Sequence, residues 1–178
     1  MYRYQGTFYL VKSYFRLLNG DFPRIETIID IRKIYDQLYR DFILEDNRPD
    51  GAFFRSRQLE VDFGGQGVKM TLPADEDDLE NKIDHWLDFI SDKNIPYLIK
   101  GSAAFGTFMD LSPFYQGNGL TARYIFSAYL TRKLDPLTGL NFSRQLLKNH
   151  ESYSNSLQEF IDRRNFAEGS FWSDRYYL

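Results

Sequence analysis

The stretch that decides the fold is Ser112-Pro113-Phe114-Tyr115-Gln116-Gly117-Asn118-Gly119-Leu120-Thr121-Ala122-Arg123. It lies between two apolar helical segments. Its Gly-Asn-Gly triplet has the composition of a tight turn that opens a helix. Backbone N–H groups in such a turn can point at an anion, and the helix dipole adds partial positive charge there. Arg123, one turn into the following helix, supplies a fork of donors suited to phosphate or carboxylate. Taken alone, Gly-Asn-Gly is more often a capping turn than a phosphate cradle, and Arg123 then reads as a salt-bridge partner in the core.

Working outward, residues 95–110 form a predicted helix, with Pro96 suited to its first turn. Leu98, Ile99, Ala103, Ala104, Phe105, Phe108 and Met109 supply its apolar side, and small residues such as Gly101 and Ala103 let another helix approach. Residues 119–133 form the next helix. Ile125, Phe126, Ala128, Tyr129 and Leu130 make it too apolar for the surface, so it belongs at the centre of the core. Asp135–Gly139 reads as a turn. Residues 141–165 are helical with a break near Lys148-Asn149, and the aromatic tail from Gly169 is left unassigned.

Upstream, residues 7–18 read as a helix interrupted by Gly20 and Pro23. Residues 24–44 carry Ile25, Ile28, Ile31, Ile34, Tyr35, Leu38, Tyr39 and Phe42 at three- and four-residue steps, the pattern of an amphipathic helix. Residues 45–51 form a loop. The period then changes, and two β-type segments over residues 52–72 flank Gly64-Gly65-Gln66-Gly67 as a hairpin. Asp75-Glu76-Asp77-Asp78 precedes a helix through Ile83, Trp86, Leu87, Phe89 and Ile90. The acidic run reads as helix-starting chemistry rather than as a metal site.

Composition narrows the function classes. The 178 residues suit one domain with a proper core, and 43% are hydrophobic with 16 Phe and 13 Tyr. A formal net charge of −3 gives no basis for gripping nucleic acid by charge. The absence of cysteine removes disulfides and thiolate metal sites, and two histidines far apart in sequence make no metal cluster. No apolar run approaches the roughly 18 residues of a membrane span. The expectation is a soluble cytoplasmic domain without a membrane or nucleic-acid partner.

Element order and motif together resemble the Fic (Fido) family, whose loop between two core helices reads H-x-F-x-[D/E]-G-N-G-R-x-x-R. Phe114, Gly117, Asn118, Gly119 and Arg123 match it, whereas Ser112, Gln116 and Leu120 depart from it. The segment Ala104–Leu111 resembles the helix entering the motif, the Phe53-Phe54-Arg55 hairpin resembles the family's flap, and residues 149–157 resemble the helix behind the site. The resemblance implies a mainly α fold: a Fido-type helical bundle with a short β-hairpin flap. It covers about residues 25–160 of a single domain spanning 1–178.

The family's usual reaction moves AMP from ATP to a protein hydroxyl. On that resemblance Gly117, Asn118, Gly119 and Arg123 would bind nucleotide phosphates, with the Asn118 amide donating to a phosphate oxygen and Phe114 anchoring the loop. Phe53, Phe54, Arg55, Leu59 and Val61 would form the flap that docks a target. The departures fall on the chemistry. The family's histidine takes the proton from the target hydroxyl, and a serine hydroxyl at 112 cannot act as a general base near neutral pH. That loss alone costs about 10²–10⁴-fold. Gln116 replaces a carboxylate that would hold Mg²⁺, and Leu120 replaces a phosphate-binding arginine.

The sequence therefore predicts a degenerate Fic domain, with no catalytic residues and no metal ligands, that acts as a binding or regulatory module. ATP or another nucleotide is its implied ligand, with magnesium left open. Its partner would be a protein at the flap or an active Fic homologue. An active adenylyltransferase with altered chemistry, and a ligand-free interaction protein, are the alternatives. Glu168-Gly169 resembles the end of the family's self-inhibiting helix, with Arg164 standing where that pattern has Ser or Thr, and the resemblance leaves a Glu168–Arg123 pair open.

Overall fold

A computed structural model describes residues 3–39, 43–62, 69–73 and 75–162. Among them the order is α1 (Arg3–Leu18), α2 (Ile28–Tyr39), a 3-10 turn (Glu45–Asn47), β1 (Leu59–Val61), β2 (Met70–Leu72), α3 (Glu76–Ser91), α4 (Tyr97–Leu111), α5 (Asn118–Lys133), α6 (Pro136–Lys148) and α7 (His150–Ile161). The fold is mainly helical with one small antiparallel sheet, pairing Leu59 with Leu72, Glu60 with Thr71 and Val61 with Met70. The hairpin turn, Phe63 and the glycine run at 64–67 lie outside the described residues, as does Glu168.

α5 is the central helix. Ala122, Tyr124, Ile125, Phe126, Ala128 and Leu130 are all buried, and α1, α2, α4 and α6 pack on it. Both of its flanking connections are short, so α4 and α6 run antiparallel to it. α3 locks onto α4 through Trp86, whose indole N–H donates to the Ala104 carbonyl at 2.8 Å and whose ring meets Phe108 at 5.5 Å.

Several boundaries differ from the sequence reading for local reasons. α2 starts at Ile28, not at 24, because Thr27 and Asp30 cap it reciprocally. The Asp30 N–H donates to Thr27 Oγ1, and the Thr27 N–H donates to the Asp30 carboxylate. Asp135–Gly139 is not a free turn but the start of α6. Asp135 accepts from the Thr138 N–H as N-cap, and Pro136 occupies the first turn. Gly139 lets α6 touch α5 closely, since a Cβ there would sit 1.9 Å from Thr131 Oγ1 and 2.5 Å from the Ser127 carbonyl. The break near Lys148-Asn149 separates α6 from α7. Phe53-Phe54-Arg55 precedes the strands in a bent segment and is not part of the ladder.

The acidic run divides its labour. Asp75 is the N-cap of α3 and accepts from the Asp78 N–H. Asp78 pairs with Lys82 at 2.7 Å. Glu76 reaches back to the 51–54 segment and accepts from the N–H groups of Ala52, Phe53 and Phe54 at 3.0, 2.7 and 2.9 Å. Partial burial pushes the Glu76 carboxyl up, but those three donors outweigh it and hold it below the ordinary range.

A carboxyl whose folded pKa is depressed stabilises the fold above its unfolded value and loses that contribution as pH falls through the folded one. Glu76→Ala should therefore cost about 1–3 kcal/mol at neutral pH, as expected for losing a charge-assisted anchor. Urea unfolding should show the gap between wild type and variant closing as pH falls below about 4.5, the ordinary glutamate value.

Candidate functional site

The 112–118 loop is shaped from both sides. Ser112 ends α4 in the left-handed region, with φ 40° and ψ 64°, and its N–H donates to the Phe108 carbonyl. A serine there has no glycine freedom, so the surrounding contacts must hold it. Its hydroxyl turns back into the helix and donates to the Met109 carbonyl at 2.7 Å. Its own carbonyl accepts from Arg55 Nε at 2.9 Å, and the Pro113 carbonyl accepts from the Arg55 N–H at 3.0 Å.

Phe114 is the anchor. It is 0% exposed, and its ring stacks on Tyr35 at 3.7 Å and meets Phe54 at 5.7 Å. Asn118 closes the loop on itself. Its carbonyl oxygen accepts from the Phe114 N–H at 2.9 Å, and its amide donates to the Phe114 carbonyl at 2.6 Å. The buried Asn118 side chain thus acts as a staple across the turn, a role that phosphate binding does not require of it. Gly117 has φ 91°, and Tyr39 donates its hydroxyl to the Gly117 carbonyl at 2.9 Å. A Cβ on Gly117 would lie 2.4 Å from the Tyr39 ring.

The open side of the loop belongs to α5. Gly117 is its N-cap, and no side chain caps the helix, so the N–H groups of its first turn stay available. A Cβ on Gly119 would lie 3.2 Å from Arg123 Nη1, so the guanidinium folds back beside the helix start. Among the described residues Arg123 makes no hydrogen bond or ion pair with any carboxylate. Its outer side opens on a groove lined by Leu10, Tyr14, Leu120, His150 and Tyr153.

The remaining motif positions are engaged locally. Gln116 is exposed, and its side-chain carbonyl accepts from the Asn47 amide at 3.3 Å. Tyr115 donates to Asp50 at 2.6 Å, accepts from the Arg57 N–H at 2.8 Å, and lies under the Arg57 guanidinium at 4.9 Å. Burial works against the Asp50 carboxylate, but hydrogen bonds from Tyr115, Ser56 and Arg57 prevail and hold it well below the usual range. Among the described residues no group of three His, Cys, Asp or Glu side chains converges on a point.

Two expected flap residues have another place. Phe54 and Arg55 are 0% and 1% exposed, so neither offers surface to a partner. Both support the motif loop instead. Phe53, Leu59 and Val61 are half-buried, with Phe53 packed on the core edge. Sequence reasoning also missed Tyr35, Tyr39 and Glu76. The available signal was the Tyr35–Tyr39 spacing, which puts two hydroxyl-bearing rings on one face of an otherwise aliphatic helix.

Gly117→Ala should destabilise the chain by more than about 1 kcal/mol, since it combines a left-handed φ with a clash. Part of that cost should vanish in the Gly117→Ala/Tyr39→Ala double variant. A thermal-denaturation cycle giving less loss for the pair than for the summed single variants checks this.

With this geometry in view, the comparisons are specific. The Fic/DOC family model matches residues 26–130, which spans α2 through most of α5 and the whole motif loop. The fold matches a Fic family protein from Desulfovibrio desulfuricans G20, solved at 2.70 Å, with a TM-score of 0.61 and 16% identity. The alignment covers 93% of this chain and 54% of that one, so this chain spans about half the length of that protein. No curated protein matches. With more than half of the residues matched by that family model, and the helical fold shared with the solved relative, the chain belongs to the Fic/DOC family.

Proposed function

We propose that this chain is a Fic-family pseudoenzyme whose loop keeps a phosphate-binding scaffold and serves as a binding or regulatory module. The observation that carries this reading is the direction of Ser112. Where the family motif has a histidine, a buried hydroxyl donates inward to the Met109 carbonyl. It is turned away from the open side of the loop, and among the described residues no base stands beside it to take a proton.

The donors that remain fit an anion. The uncapped start of α5 and the Arg123 guanidinium offer backbone N–H groups and a fork of N–H donors to one phosphate group. The donors at 116 fit a magnesium ion poorly, because an amide oxygen already shared with Asn47 replaces the carboxylate that Mg²⁺ favours. The nucleotide, when bound, would bring the phosphates and the leaving group. The chain's own residues hold and orient but have no group to move a proton at position 112. Leu59 and Val61, on the short β1 strand, are the part of the flap that supports docking of an extended protein segment by strand addition.

Two measurements test this. Calorimetry with ATP and ADP, with and without magnesium, should give saturable binding that is largely metal-independent and weakened at least tenfold by Arg123→Ala. Incubation with labelled ATP should leave the protein and a cell lysate unlabelled, whereas Ser112→His/Gln116→Asp/Leu120→Arg should gain labelling. Clear labelling by the unaltered chain that disappears in Ser112→Ala would overturn the proposal.

A further inference from the structure

The end of the α4–α5 pair remote from the motif holds a second feature. α4 starts there and α5 finishes there, one helix length or about 22 Å from the loop. A pocket of about 660 Å³ opens between them and the ends of the segments before α2 and after α3. Five cations line it: Arg24, Lys93, Lys100, Arg132 and Lys133. Glu26, the acidic residue in the same lining, is paired with Arg24 at 2.6 Å. Such a concentration runs against the −3 charge of the whole chain.

Among the described residues the four cations other than Arg24 lack a carboxylate partner. Among the described residues Lys93, Arg132 and Lys133 make no ion pair or side-chain hydrogen bond. Lys100 is the sharper case. It is 6% exposed, its ammonium donates to the Asp92 carbonyl, and among the described residues no carboxylate stands within ion-pair distance. Two of its three N–H donors are left over, at a depth where an unanswered charge is costly. Burial and the neighbouring Lys133 push the Lys100 ammonium down from its ordinary value, against a weaker pull from Asp92.

We propose that this pocket is a second anion site, distinct from the motif loop, for a small polyphosphate such as pyrophosphate or the phosphate chain of a nucleotide. Three unpaired cations around a buried fourth exceed what one carboxylate neutralises, and they match the several charges of a polyphosphate. Arg132 supplies the planar fork, and the lysines supply mobile point charges.

The test uses the full chain and sodium pyrophosphate at ionic strength matched with sodium chloride. Calorimetry should give saturable binding, and the unfolding midpoint should rise with ligand concentration. Lys93→Gln/Lys133→Gln should weaken the binding tenfold or more. Both side chains are exposed, so circular dichroism should show the fold unchanged, and Lys93→Arg/Lys133→Arg should retain affinity. All of these measurements are made in the Arg123→Ala background, where the loop no longer holds a phosphate, so the remaining binding reports this pocket. Binding that survives in the Lys→Gln pair overturns the proposal, as does a response no larger than that to sodium chloride.

Discussion

The site hangs on a buried guanidinium. Arg55 is all but inaccessible, yet it pairs with no carboxylate among the described residues and answers carbonyls instead. Nε donates to Ser112, and Nη1 donates to Arg57 and to Pro73 at 2.9 and 2.7 Å. Three chain segments, the end of α4, the flap entry and the flap exit, thereby share one cation. A buried charge satisfied only by peptide dipoles is held by geometry, because moving any one carbonyl leaves donors unmet in a dry environment. Lysine could not replace it, since a single ammonium cannot span the same fork. Burial pushes the Arg55 guanidinium down, but arginine stays charged at any pH the fold meets.

Around that cation the supports form a chain of dependence. Glu76 fixes the N–H groups of 52–54, and that segment delivers Phe54 to the ring of Phe114 and Arg55 to the carbonyls of the loop. From the other side α2 supplies Tyr35 as the stacking partner and Tyr39 as the donor to Gly117. None of these residues faces an open ligand surface. Their common effect is to fix the backbone of the loop that leads into the first turn of α5. The same α4–α5 pair carries a positive end far from the loop, so one rigid unit presents cations at both of its ends.

The helices and the motif were legible in the sequence because their signals are local. Apolar spacing marked α2 through α5, and Gly-Asn-Gly marked the helix start. What stayed hidden was long-range. A sequence cannot announce that Arg55 turns inward across 57 residues to Ser112, so an arginine beside two phenylalanines reads as surface. Glu76 sat in a run whose other members do cap a helix, and its different target 22–24 residues away left no local trace. Asp135–Gly139 shows a related ambiguity: Asp-Pro opens turns and helices alike, and packing of Gly139 on Thr131 decides between them. For Asn118 the residue type was read correctly as a donor, but the nearest acceptor is the loop's own backbone.

Position 112 shows how scaffold and chemistry separate in this family. The left-handed turn there is imposed by its neighbours: the Phe108 carbonyl on its N–H, Arg55 on its carbonyl and a buried proline after it. None of these contacts involves the side chain, so the backbone is set whatever residue occupies the position. What the side chain decides is where its polar atom goes. A serine hydroxyl is short enough to return to the Met109 carbonyl one turn back, which satisfies it internally. An imidazole on the same backbone is longer, and its nitrogens extend past that carbonyl. The residue at 112 can therefore differ from the family motif while the loop backbone stays the same. This accounts for a chain in which Phe114, Gly117, Asn118 and Arg123 match the family motif while the Ser112 hydroxyl ahead of them faces its own helix.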